Sequence, residues 1–66
     1  MEIRVNGKDR PVPEGETLLA LVEALQLDPG RVAVELDREI IKRAHWGETV
    51  LHPGAQLEIV QFVGGG

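Results

Sequence analysis

The chain has 66 residues, 42% of them apolar and none of them cysteine, with 11 acidic against 7 basic residues for a net charge of −4. One small domain fits that length, and with no disulfide and no Cys/His cluster for zinc its stability has to come from apolar packing. The acidic balance and scattered basic residues argue against nucleic acid as a partner, since phosphate binding needs a positive field; with no apolar run of membrane-spanning length and no signal peptide at the start, the expectation is a cytoplasmic protein with no membrane partner.

Glu2-Ile3-Arg4-Val5 alternates polar and apolar, the period of a half-buried strand. Asn6-Gly7 then favours positive φ at both centres of a tight hairpin turn. A second strand is predicted through Arg10-Pro11-Val12-Pro13, at a sheet edge because prolines cannot donate to a ladder. After a turn at Glu14-Gly15-Glu16, Thr17 is a candidate N-cap. Leu18, Leu21, Val22 and Leu25 follow at helical spacing, with Leu19 widening the apolar face. The helix is expected to end at Pro29-Gly30, because the residue before a proline is pushed out of the helical region.

Arg31 to Leu36 reads as a third strand, with Val32, Val34 and Leu36 on one face. Asp37-Arg38-Glu39 connects it to a short strand at Ile40-Ile41. Ala44 to Glu48 reads as a brief helical turn, and Pro53-Gly54 is a turn signal. The last strand is predicted over Leu57 to Val63, with Leu57 and Ile59 facing the helix and Val60 and Phe62 the other side. The order strand, strand, helix, strand, short strand, strand implies an α+β fold: a mixed sheet of four to five strands covered on one face by one helix. That is the β-grasp, ubiquitin-like arrangement, with a domain over 1–63 and a flexible glycine tail over 64–66.

No enzyme site emerges. There is no cysteine or serine nucleophile, and no glycine loop of the phosphate-cradling kind. His45 and His52 flank no carboxylate pair of catalytic spacing and read as surface or loop residues. Trp46 reads as a core plug beside a loop. No metal site and no bound cofactor are expected.

Gly64-Gly65-Gly66 directly follows an apolar strand. Such a tail can thread a narrow channel with nothing protruding. It offers one functional group, the terminal carboxylate of Gly66, ionised at neutral pH with an ordinary pKa of about 3.3–3.7. An ionised carboxylate can attack the α-phosphate of ATP to give an acyl adenylate. Mg²⁺ and basic groups must offset the phosphate charge, and this chain has none arranged for it, so a second protein must supply them. Alone, a glycine tail is equally well a frayed end or an expression scar; its place after the last strand of a β-grasp pattern favours the functional reading.

Val32-Ala33-Val34-Glu35-Leu36, Glu39-Ile40-Ile41, Arg43, Trp46, Thr49-Val50-Leu51, Gly54, Leu57-Glu58-Ile59-Val60 and Phe62-Val63-Gly64-Gly65-Gly66 together resemble the ThiS family, sulfur carriers of thiamine biosynthesis. Ile3-Arg4-Val5-Asn6-Gly7 and Leu27-Asp28-Pro29 extend the resemblance over nearly the whole chain. The resemblance implies a cycle. A ThiF-type, E1-like enzyme adenylates Gly66 using ATP and Mg²⁺, and sulfur originating from a cysteine desulfurase replaces AMP to give a thiocarboxylate. A ThiG-type thiazole synthase then takes the sulfur. Gly64 and Gly65 would form the arm that reaches those active sites. The chain departs from the family pattern at Asp37-Arg38, where Asn-Gly is usual, and at Ala55, where a polar residue is common.

Val60, Phe62 and Val63 would form an exposed apolar patch beside the tail, where the partners dock; the alternative is that Phe62 folds over the sheet end into the core. Two other functions share much of the pattern. One is a sulfur carrier for molybdopterin synthesis, usually longer and ending in two glycines. The other is a ubiquitin-like interaction module whose tail is never activated.

Overall fold

The computed structural model describes residues 1–63. Its sheet has five strands: β1 (Glu2–Val5), β2 (Lys8–Pro11), β3 (Val32–Leu36), β4 (Glu39–Ile41) and β5 (Gln56–Gln61), in the spatial order β2-β1-β5-β3-β4. β1 and β5 run parallel and the other neighbours antiparallel, so the first and last strands lie side by side at the centre. One helix, α1 (Leu18–Ala24), and a 3-10 segment, Arg43–Glu48, cover one face. This is the expected α+β, β-grasp arrangement.

The core follows the alternation and the helical spacing. Ile3, Leu18, Leu21, Val22, Val34, Trp46 and Leu57 are each at most 2% exposed. Trp46 plugs the space between helix and sheet, as anticipated, and donates its indole N–H to the Ile41 carbonyl at 2.9 Å, which satisfies the polar end of a buried ring. His45 and His52 are both exposed, as expected for loop histidines. Ala55 is fully buried beneath the turn before β5, a place that suits its small apolar side chain.

β4, the 3-10 segment and β5 each start one residue earlier than expected, and other boundaries differ for identifiable reasons. β2 occupies Lys8–Pro11, not residues 10–13. The two-residue Asn6-Gly7 turn, with φ of 52° and 81°, pairs Val5 with Lys8 and so restarts the ladder at once. β2 is an edge strand, as Pro11 requires. The helix ends at Ala24 and not at Pro29. Gln26 takes φ of 60°, its N–H bonds the Glu23 carbonyl, and the Leu27 N–H bonds the Val22 carbonyl at 3.3 Å. That is a Schellman cap with glutamine in the left-handed position usually held by glycine. Pro29 instead opens a 3-10 turn, Pro29–Arg31, capped by the Asp28 carboxylate on the Gly30 N–H at 2.9 Å. Arg31 therefore precedes β3. β5 stops at Gln61 because its partner strand starts at Val32, the residue paired with Gln61.

Candidate functional site

The site expected from the sequence lies where β5 ends. Leu57 is buried and Ile59 half-buried on the helix side of the sheet, while Glu58 and Val60 point to the open face. The ladder is held at this end by Asn6. Its side-chain oxygen accepts the Ile59 N–H at 2.7 Å and its amide donates to the Ile59 carbonyl at 3.2 Å. A side chain thus adds a rung to the parallel β1–β5 ladder where the backbone of β1 has already turned away.

Beyond β5, the Phe62 N–H donates to the Arg31 carbonyl at 2.7 Å, so the chain stays tied to the body one residue past the strand. Phe62 is 56% exposed, Val60 57% and Val63 96%. Phe62 is therefore not folded into the core, and the three residues form an apolar surface on the approach to the tail. Gly64, Gly65 and Gly66 lie outside the described residues. Ile40, at 76% exposure, belongs to the same open face, because it pairs with Glu35 across β3–β4 and Glu35 pairs with Glu58 across β3–β5. Ile40 was absent from the expected patch; the signal was the Ile40-Ile41 pair, since one of two adjacent strand residues must face outward.

A second arrangement was not legible in the sequence. Asp37 and Arg38 turn the β3–β4 hairpin with φ of 49° and 73°, both in the left-handed region. Asp37 is fixed there from β5 and the loop before it: one carboxylate oxygen accepts the Gln56 N–H at 3.0 Å and the other lies 2.6 Å from His52 Nε2. His52 Nδ1 lies 2.9 Å from the Pro53 carbonyl. Both ring nitrogens thus face acceptors, which suits the imidazolium. The bond to Asp37, and then the Pro53 carbonyl, raises the His52 pKa above its ordinary value. The bond from His52, and then the Gln56 N–H, lowers that of Asp37. This clasp secures a turn made without glycine. Among the described residues no group of three or more His, Cys, Asp or Glu could hold a metal ion.

The sequence model of the ThiS family matches residues 3–66, which includes the terminal glycines. The chain belongs to the ThiS family. The sulfur carrier protein ThiS of Bacillus subtilis is 37% identical over 65 residues, a match covering 97% of this chain and 98% of that one. A crystal structure of the thiamine biosynthesis protein ThiS from Geobacter metallireducens superposes with a TM-score of 0.86 at 33% identity, covering all of both chains. The thiazole synthase of Magnetococcus marinus is 38% identical over 66 residues; this ThiS-family chain spans 20% of that protein's length. No described helix is long and apolar enough to cross a membrane.

Proposed function

We propose that this chain carries sulfur as a thiocarboxylate on Gly66 and delivers it to a thiazole synthase in thiamine biosynthesis. The observation that carries the reading is the family match, which spans residues 3–66 and so includes the glycine end. The exposed Val60, Phe62 and Val63 and the bond that ties Phe62 to the body support it, because they leave apolar side chains uncovered at the end of β5 for a partner to cover.

The chemistry runs in three displacements. The Gly66 carboxylate attacks the α-phosphorus of ATP on a ThiF-type enzyme; an O–P bond forms, and pyrophosphate leaves as the bond to the β-phosphate oxygen breaks. A persulfide supplied by a cysteine desulfurase system then attacks the acyl carbon, and AMP leaves as the C–O bond breaks; a thiol next cleaves the S–S bond of the resulting acyl disulfide, leaving the Gly66 thiocarboxylate and a disulfide as the oxidised product. The partner supplies Mg²⁺ and the cations that stabilise charge on the phosphates. This chain supplies the carboxylate on an arm with no side chains, and a folded body by which the partner positions it. The likeness to a longer protein named thiazole synthase supports such an enzyme as the acceptor.

The test is intact mass spectrometry after incubation with ATP, a sulfur source and the ThiF-type enzyme of the same organism. The expected result is a gain equal to exchange of one oxygen for sulfur, mapped to Gly66 and absent when Gly66 is deleted. An unchanged mass with that enzyme refutes the proposal.

A further inference from the structure

The β3–β5 register sets Glu35 directly opposite Glu58 on the open face, two residues along from the Ala33–Val60 pair. Ile40 flanks Glu35 on its other side. Side chains paired across a ladder have Cβ atoms about 4.5–5.5 Å apart, and like charges so placed destabilise the sheet. Among the described residues neither glutamate has a cation within ion-pair distance; the pairs present are Arg4–Asp9, Arg31–Asp28 and His52–Asp37. Arg4 and Arg38 border the same shallow hollow, but Arg4 is held 3.0 Å from Asp9 and Arg38 makes no ion pair with a described residue. A like-charged doublet thus sits beside exposed Val60 and Ile40, with Arg4 and Arg38 bordering the hollow but no described cation within ion-pair distance of either carboxylate.

We propose that Glu35 and Glu58 form a recognition element for the adenylating partner, whose basic side chains bridge the two carboxylates while its apolar side chains cover Val60 and Ile40. This inference rests on the carrier reading above. The occupant follows from reach and charge. Three residues beyond Val63 span at most about 10 Å, so an enzyme that takes the Gly66 carboxylate must lie close against the end of β5 and the open face next to it. An enzyme that binds a nucleoside triphosphate needs cations around its site, and this chain brings a net charge of −4 to them. An arginine fork can hold carboxylate oxygens bidentately, and two carboxylates that repel each other gain more from one shared cation than either would alone.

The experiment compares wild type with Glu58→Gln and with the double variant Glu35→Gln/Glu58→Gln, using the purified ThiF-type enzyme of the same organism. Three quantities are measured: thermal stability, Kd by calorimetry at low and high salt, and the rate of Gly66 adenylation at saturating carrier. Relief of repulsion should raise the double variant's Tm by about 1–5 °C. Its Kd should weaken about tenfold at low salt, with much of the wild-type salt dependence gone. The adenylation rate at saturation should be unchanged, because neither glutamate touches the reacting atoms. Equal Kd and equal salt dependence in wild type and the folded variants would overturn this inference alone. A wild type that the enzyme does not adenylate would overturn the carrier reading as well.

Discussion

Replacing Asn6 tests whether a side chain really completes the central ladder. Asn6→Ala removes the two bonds to Ile59, at 2.7 and 3.2 Å, and leaves a β-carbon residue at φ of 52° with no local hydrogen bond to ease it. Each exposed side-chain bond is worth about 0.5–1 kcal/mol net, and the left-handed conformation costs an alanine about 1 kcal/mol more. The expected loss is therefore about 2–3 kcal/mol, a large share of the roughly 3–10 kcal/mol that a domain of this size has in total. Asn6→Gly keeps the turn unstrained and deletes only the bonds, so it should lose about 1–2 kcal/mol. Urea denaturation reads both; with a slope near 1 kcal/mol/M for so small a protein, the alanine midpoint should fall by about 2–3 M. The reasoning fails if both variants lose less than about 0.5 kcal/mol, or if glycine loses as much as alanine. The first result would mean water replaces the side chain at no cost, and the second that the turn is not strained.

Other expectations follow from single residues. Gln26→Gly should raise stability by about 0.5–1 kcal/mol in the same assay, because glycine takes the left-handed cap position without the Cβ penalty. The His52–Asp37 clasp should make stability pH-dependent at both ends. The raised His52 pKa means its contribution is complete below the ordinary value of about 6.5 and fades as pH climbs through the higher folded value; the lowered Asp37 pKa means its contribution holds above about 3.9 and fades as pH falls through the lower folded value. Melting wild type and His52→Gln at about pH 6 and pH 8 should show a larger loss in wild type, and parallel curves would contradict the clasp. Phe62→Ser should change stability by less than about 0.5 kcal/mol, since the ring is 56% exposed, while raising the KM of the adenylating enzyme for this chain. A large stability loss with KM unchanged would assign Phe62 to the fold instead.

Much of the fold was legible because local pattern and tertiary burial agree. The 2-residue period of β1 and β3 and the spacing of Leu18, Leu21 and Val22 mark the side chains that are buried. Asn6-Gly7 names its own turn type, and Pro11 places β2 at an edge. What failed to show were positions where tertiary partners override local preference. Gln26 and Arg38 are poor residues for positive φ, so neither the helix end nor the hairpin type could be read from them. Asp37 holds its turn only because His52, fifteen residues away, and the Gln56 N–H reach it, a contact with no sequence period. The exposed apolar patch was legible in part: the alternation in β5 gave Val60 and Phe62 their side of the sheet, but whether Phe62 would fold back into the core depended on the Arg31 carbonyl that anchors its backbone.

β5 divides its residues by alternation between the helix side and the open face, and this separates stability from the proposed recognition. Leu57 and Ile59 face the helix, and Ile59 is also bonded through its backbone to Asn6, so changes there are paid for in folding. Glu58 and Val60 face outward, where a substitution removes little buried area and, at Glu58, relieves a repulsion. Stability alone would favour an opposite charge across from Glu35 and polar residues at Val60 and Ile40. The open face of β3, β4 and β5 instead presents like charges and bare apolar groups together. Those choices oppose local stability, and the proposed cover by another protein accounts for them together: apolar area gains from burial there, and the carboxylates gain a direct ion pair that no described cation makes with them.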